Sequence, residues 1–275
     1  MHSHITPLFS IITVTYHAES VLEETILSVV SQTYHNIEYI IVDGASKDRT
    51  LSIVNKYRDK IQAVVSEPDK GLYDAMNKGI KLATGDYVCF LNAGDTFHED
   101  DTLQLIVHQL NKSNVLPDVI YGETALVDAQ RHFVRMRRLQ TPDTLNWKSF
   151  RQGMLVCHQA FIAKRALAET YDLNYRFSAD FDWCIRVMKK ASLLHNTRLT
   201  LIDYLDEGMT TKNRKASLKE RFRIMAKHYG YISTVLHHIW FVLRLCLSRD
   251  NNSATPSEAP FRITSMCLYE LTCTS

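Results

Sequence analysis

Glycine is scarce in this chain and widely spaced. Nine occur in 275 residues, and the closest pair, Gly79 and Gly85, lies six positions apart. A P-loop, a dinucleotide fingerprint and a serine-hydrolase nucleophile elbow each need tighter glycine pairs, so all three are excluded. The six cysteines (Cys89, Cys157, Cys184, Cys246, Cys267, Cys273) contain no Cys-x-x-Cys pair. That argues against a zinc ribbon or disulfide framework and fits a reducing, cytoplasmic compartment. No run reaches the ~20 apolar residues of a spanning helix. The opening Met-His-Ser-His-Ile-Thr-Pro lacks the basic-then-apolar pattern of a secretory leader, so none is predicted. A formal net charge of only +2 gives no footing for a nucleic-acid partner.

What is present is an ordinary soluble composition, 45% hydrophobic and 23% charged, with length enough for a large core. Short apolar runs rich in β-branched residues alternate with helical periodicity. Strands are expected at 8–15, 37–42, 63–65 and 87–91. Capping-box patterns at Ser20/Glu23 and Asp101/Gln104 predict helix starts, Asp48 a third, and residues 72–83 a helix stopped by Gly85. Such alternation implies crossovers and a mainly parallel α/β sheet. Beyond Asn111 the rhythm loosens. Strands are expected at 119–121, 125–127, 156–162 and 199–205, helices at 164–170 and 181–190, and a basic extended segment at 131–139. Residues 217–229 and 231–247 read as two helices broken at Gly230, and the polar tail after 247 as poorly ordered.

The functional signal is acidic. Asp43, Asp69 and Asp95 each fall just after a predicted strand of one sheet, and such sheets hold ligands beyond the carboxyl ends of their strands. Asp95 closes an abrupt Asn92-Ala93-Gly94-Asp95 turn after a buried strand. A hard divalent ion needs only one or two carboxylates when substrate phosphates complete its shell. Asp43 is either a hydrogen-bond acceptor for a nucleoside or a cap for the next helix. Asp180 and Asp182 open an apolar helix; Asp182 reads as a cap, and Asp180 as a candidate general base. His158, on an apolar run beside Cys157, is equally a structural histidine or a ligand.

Ser10-Ile-Ile-Thr-Val-Thr-Tyr16 and Ile41-Val-Asp-Gly-Ala-Ser-Lys-Asp-Arg-Thr50 resemble the opening of the inverting family 2 glycosyltransferases of the GT-A fold. The resemblance continues through Ser66-Glu-Pro-Asp-Lys-Gly-Leu-Tyr-Asp-Ala-Met-Asn-Lys-Gly79, Gly85-Asp-Tyr-Val-Cys-Phe-Leu-Asn-Ala-Gly-Asp95, His158-Gln159 and Ser178-Ala-Asp-Phe-Asp182. It implies a GT-A domain over 1–210, with a nucleotide-sugar half (8–110) and an acceptor half (111–210). It implies donor contacts from Thr13, Thr15, Tyr16, Asp43, Asp69, Lys78, Asn92, Ala93 and Gly94. Asp95 would match the last acid of the metal-binding Asp-x-Asp element, with Mn²⁺ or Mg²⁺ as cofactor. Asp180 would match the acceptor base, and His158, Gln159 and Lys212 would serve the acceptor or diphosphate. Asn92 and Gly94 stand where many members carry acids, Ala179 where Glu is common, and Gly208-Met-Thr-Thr211 only approximates the family's diphosphate loop.

The partners so implied are a nucleotide-diphosphate sugar and a glycan or polyprenyl-diphosphate-linked acceptor, in the synthesis of a polysaccharide. Lys212, Arg214, Lys215, Lys219, Arg221 and Arg223 precede the apolar stretch 231–247. This segment is either a solvated basic face or a peripheral anchor on the inner face of the cytoplasmic membrane. Competing classes are a nucleotidyltransferase, which would need a Gly- and Lys/Arg-rich phosphate loop that Tyr16-His-Ala-Glu-Ser20 does not supply, and a non-catalytic nucleotide-sugar binding module.

Overall fold

The computed structural model describes residues 5–206 and 214–250. Four strands form its N-terminal half: β1 (Phe9–Thr15), β2 (Ile37–Asp43), β3 (Ala63–Ser66) and β4 (Tyr87–Phe90). They pair in parallel in the order β3-β2-β1-β4. Every residue of β1 and of β4 is buried, which is why these strands read as continuous apolar runs rather than alternating ones. The helices between them are α1 (Leu22–Val30), α2 (Thr50–Lys56) and α3 (Leu72–Leu82). In α1 the buried residues Leu22, Thr25, Ile26 and Val29 follow helical spacing, and α3 lies across β1 and β2.

The second half extends the same sheet with mixed pairing. The elements are β5 (Thr96–Phe97), α4 (Thr102–Ser113), β6 (Val119–Val127), β7 (Phe133–Met136), β8 (Phe161–Lys164), α5 (Ala179–Lys190) and β9 (Leu194–Leu205). β8 joins β4 antiparallel, β6 joins β8 antiparallel, and β9 runs parallel to β6. The two short strands expected at 119–127 are one strand with register irregularities around Gly122. The strand expected at 156–162 shrinks to β8. Its first residues are buried in a loop whose side chains bond elsewhere, and burial without ladder pairing mimics a strand in sequence. The helix expected at 164–170 is a single 3-10 turn, Arg165–Leu167.

Two further helices, α6 (Arg214–Tyr229) and α7 (Tyr231–Asp250), meet at Gly230 as expected. α6 is built into the body: Ser217, Arg221, Ile224 and Met225 are all buried and it packs on α5. The sheet's interior centres on Phe90, Trp183, Phe161 and Tyr87, each essentially inaccessible to solvent. Burying one such side chain contributes ~1.5–3 kcal/mol relative to leaving it exposed. The expected boundary at 210/211, Gly208-Met-Thr-Thr211, Lys212 and the tail after 250 lie outside the described residues.

Candidate active site

Parallel register sets the carboxyl edge of the sheet. Thr15 pairs with Asp43, and Asp43 with Ser66, so three polar side chains end three adjacent strands in a row. Asp43 is fully buried and accepts from the Ser46 backbone N–H (3.0 Å), Ser46 Oγ (2.5 Å) and Ser66 Oγ (2.6 Å). A carboxylate offers about four lone-pair sites, so roughly one remains for a ligand donor. Next to it, the Asp69 carboxylate folds over Gly44. A Cβ on Gly44 would lie 2.5 Å from Asp69 Oδ2 and 3.1 Å from Tyr16 Cδ2. Only glycine lets the acid, the exposed Tyr16 ring and the strand end converge. Asp69 Oδ1 accepts the Gly71 N–H at 2.8 Å, and Lys78 braces the same loop through Pro68 O (2.9 Å) and Glu67 Oε1 (3.0 Å).

Two of the residues expected at the donor, Thr13 and Lys78, have their polar atoms engaged within the protein. Thr13 is fully buried against Tyr39, Oγ1 to Oη 3.1 Å, because it sits two residues below the strand end and so a full pleat deeper than Thr15. Lys78 bonds Pro68 O and Glu67, bracing the loop that carries Asp69.

The turn after β4 is tied down at each residue. Ala93 N–H donates to Val14 O (3.3 Å), and Gly94, at φ 104°, donates to Thr25 Oγ1 (2.9 Å) and accepts Arg131 Nη1 (2.7 Å). The Gly94 amide is thereby committed to α1. Asp95, 4% exposed, accepts Gln159 Nε2 at Oδ2 (2.7 Å) and the Leu205 N–H at Oδ1 (3.2 Å). Thr15 Oγ1 and Asn92 Oδ1 are buried with no hydrogen-bond partner in the protein. Such orphaned acceptors are costly unless a ligand, ion or water satisfies them. Among the described residues no group of three His, Cys, Asp or Glu side chains could hold a metal by itself.

Asp180 stands in the first turn of α5, 2% exposed, with Tyr73 Oη donating to its Oδ1 at 3.0 Å. Burial pushes its carboxyl up to about 7, against the pull of the Arg221 charge, the Phe181 amide and the Tyr73 hydroxyl. Asp182 behaves in the opposite way. Burial alone would raise it, but the hydrogen bonds from His228 Nε2 (2.8 Å) and Arg186 Nε (2.7 Å), with the charge of Lys227, hold it far below the usual carboxylate range. It is an ion-pair hub fastening α6 to α5, not the helix cap expected from sequence.

His158 does not reach the site's surface. It stacks on Phe90 (5.0 Å), bonds Tyr171 Oη through Nε2 (2.6 Å), and burial lowers its pKa to about 3, so it is neutral and structural. Its neighbour Gln159 points the other way, onto Asp95. Two residues that sequence reasoning missed act on Asp180: Tyr73, hidden within the apolar face of α3, through a hydrogen bond, and Arg221, hidden within a run of surface-like cations, through its charge. Arg221 is 3% exposed with its guanidinium 5.6 Å from the Phe181 ring centroid.

The model for "Glycosyl transferase family 2" matches residues 10–171, more than half of the chain. The chain belongs to glycosyltransferase family 2. A PGL/p-HBAD biosynthesis glycosyltransferase of Mycobacterium bovis is 34% identical over 194 residues, covering 68% of this chain and 72% of that protein. Among solved structures, residues 1–349 of S. aureus TarS in complex with UDP-GlcNAc align with TM-score 0.64 at 18% identity, over 82% of this chain and 72% of that TarS fragment. A mannosyltransferase from Pyrobaculum calidifontis, in complex with GDP-Man and Mn²⁺, aligns with TM-score 0.59 at 16% identity, over 92% of this chain and 77% of its own. This family 2 glycosyltransferase thus has the GT-A fold, with its acids on the carboxyl edge of the β3-β2-β1-β4 sheet.

Proposed function

We propose that this enzyme transfers a sugar from a nucleotide-diphosphate sugar to a hydroxyl of a glycan or polyprenyl-diphosphate-linked acceptor, by single displacement with inversion. The observation that carries the reading is Asp180, a carboxyl pushed to about 7 by burial in the first turn of α5. A general base works best with a pKa near the operating pH. Asp180 takes the acceptor proton, the acceptor oxygen bonds to the anomeric carbon, and the bond from that carbon to the diphosphate breaks. The nucleoside diphosphate leaves with the bonding pair. Asp43, Asp69, Thr15 and Tyr16 seat the nucleoside and hold the donor for attack. The complexes of TarS with UDP-GlcNAc and of the mannosyltransferase with GDP-Man support a nucleotide-sugar donor.

The turn 92–95 fits a divalent cation, Mn²⁺ or Mg²⁺, held by Asp95 with the orphaned Asn92 Oδ1 nearby in sequence. A single carboxylate suits a hard cation that takes its remaining ligands from diphosphate and water. When bound, the ion neutralises charge on the departing diphosphate. Ala93 and Gly94 fix the turn's backbone, and Gln159 fixes the Asp95 carboxylate.

The acceptor side is proposed to rest on a membrane surface, on the inner face of the cytoplasmic membrane. No described helix is long and apolar enough to cross a membrane. Instead, Lys215, Lys219 and Arg223 form an exposed stripe on α6, and Ile232, Leu236, Ile239 and Trp240 an exposed apolar stripe on α7. Cations beside an apolar face are the composition of an interfacial helix. The decisive experiment is transfer by Asp180→Asn and Asp95→Ala. Both should lose turnover, while Asp180→Asn keeps its UDP-induced rise in melting temperature. Full activity in either variant removes the role given to that residue.

A further inference from the structure

Tyr73 carries a buried hydroxyl that packing does not require. Its ring sits on the core face of α3, 4% exposed and 5.4 Å from the Tyr171 ring, where phenylalanine would fill the same volume. Burying a hydroxyl is costly unless it finds a partner, and this one donates to Asp180 Oδ1 at 3.0 Å across 107 residues of sequence. The neighbouring Tyr171 hydroxyl is engaged with His158 instead. Burial pushes both phenols well above their usual value, so each keeps its proton at neutral pH and remains a donor.

Tyr73 also stands two residues from the donor loop. Gly71, which precedes α3, donates its N–H to Asp69 and accepts from Asp74 and Ala75 at the first helical turn. The loop proposed to meet the nucleoside and the side chain that meets Asp180 therefore share one turn of backbone. The other charged or titratable groups acting on Asp180 are Arg221 from α6, Tyr171 from the segment before α5, and Cys184 from α5 itself.

We propose that Tyr73 is a positioning residue for the acceptor-activating base, its hydroxyl fixing the Asp180 carboxylate from the first turn of the helix that follows the donor loop. The inference rests on Asp180 being that base. A hydrogen bond to an ionised acceptor in a dry site is strong and favours the ionised form. Without it the carboxyl binds its proton more tightly and samples other orientations.

The test is a ¹³C-carboxyl titration of the full chain, with the Asp180 signal assigned by its absence in Asp180→Asn. In Tyr73→Phe the midpoint should rise by about one pH unit, from one charge-assisted hydrogen bond. Tyr171→Phe, which removes an equally buried hydroxyl from the same stack, should leave the midpoint in place. The melting shift induced by UDP should be retained in Tyr73→Phe. Tyr73→3-fluorotyrosine, a stronger donor of nearly the same shape, should lower the midpoint and covers the case in which Tyr73→Phe fails to fold. An unmoved midpoint in the variant that folds overturns the inference, as does an equal rise in Tyr171→Phe. Transfer from UDP-GlcNAc or GDP-Man to a polyprenyl-diphosphate-linked sugar separates the two readings. If Asp180→Asn loses transfer while the Tyr73 variants leave the midpoint unmoved, only this inference fails. If Asp180→Asn retains transfer, the base assignment fails whatever Tyr73 does.

Discussion

Gln159 donates its side-chain amide to Asp95 Oδ2 at 2.7 Å, and its side-chain Oε1 accepts from Cys157 Sγ at 3.0 Å. The acid at the end of the β4 turn is thus aimed by a residue from the loop entering β8. Groups that orient a metal-binding carboxylate typically matter 10–100-fold in metal affinity or activity. Gln159→Leu should accordingly raise the Mn²⁺ concentration needed for half-maximal transfer by about tenfold or more, with the fold intact. Transfer rates titrated with Mn²⁺ check this, and an unchanged half-saturation point would show that Asp95 needs no such support.

The burial of Asp180 has a stability consequence opposite to that of most acids. Its folded-state pKa, about 7, lies above the ordinary 3.8, so folding favours the protonated carboxyl. That contribution is complete below 3.8 and is lost as pH rises through about 7. Asp180→Asn keeps the Tyr73 contact without the charge. It should be more stable than the parent at pH above 7, by on the order of a few kcal/mol. The gain should shrink toward nothing as the pH is lowered to 3.8. Urea denaturation across that range measures it, and equal midpoints at alkaline pH would contradict a buried, charge-averse site.

Asp182 reverses the sign. Its folded-state pKa is depressed, so its stabilisation is present above 3.8 and is lost only as pH falls below that. It is wholly buried against Arg186 and His228, with Lys227 at 3.2 Å. Removing one member of a buried ion-paired group costs about 3–5 kcal/mol. Asp182→Ala should lose less than that, about 2 kcal/mol, at neutral pH, because Arg186 keeps Glu169 and Lys227 is half exposed, and amide hydrogen exchange across α6 should quicken, because this hub fastens α6 to α5. Exchange in α6 no faster than in the parent would mean the helix is held by its apolar contacts alone.

β1, β2 and β4 were legible because buried parallel strands are nearly continuous apolar runs, while β3 is a short, half-exposed edge strand read from Ala63-Val64-Val65 alone. Helix starts were legible in place, and Asp48 Oδ1 accepts the Thr50 N–H (3.1 Å) at the start of α2 as expected, but the two capping boxes do not form. Glu23 does not close a capping box with Ser20; it accepts from Tyr57 (2.8 Å) and Lys56 (3.2 Å). The first turn of α4 is capped by Gln32 Oε1 on the Leu103 N–H, not by Asp101. In each case a distant partner won over a local one. The same reason hid Tyr73 and Arg221. Nothing in the spacing of either says that it acts on Asp180, because the Tyr73 hydrogen bond and the Arg221 charge reach that carboxyl only in the folded chain. The family motifs located the acids, and the fold supplied what surrounds them.

The Gly44 contact gives a prediction confined to the donor. In Gly44→Ala the new Cβ would sit 2.5 Å from Asp69 Oδ2 and 3.1 Å from Tyr16. Tyr16 is exposed and Asp69 half-buried, and both can move away, so the fold should survive at a cost of about 1 kcal/mol. Asp69 and Tyr16 would then no longer meet the nucleoside as built. UDP should bind about tenfold or more weakly, equivalent to ~1.4 kcal/mol. A UDP-dependent melting shift as large as the parent's would remove Asp69 and Tyr16 from the donor site.

Membrane contact needs a sharper test than truncation. Cutting the chain after Gly208 would remove Ser217, Arg221, Ile224 and Met225, which are buried in the body, so loss of vesicle binding would be indistinguishable from loss of fold. Substitutions confined to the exposed faces avoid this. Ile232→Glu with Leu236→Glu should abolish sedimentation of the full chain with phosphatidylglycerol-rich vesicles while leaving UDP binding unchanged. Replacing Lys215, Lys219 and Arg223 by Ser should act differently, removing the preference for anionic over zwitterionic vesicles. At ~1 kcal/mol per basic residue near a charged surface, the three together are worth about a hundredfold in partitioning. The two sets separate an apolar from an electrostatic contribution, and the parent's failure to bind either vesicle would leave the acceptor to be met in solution.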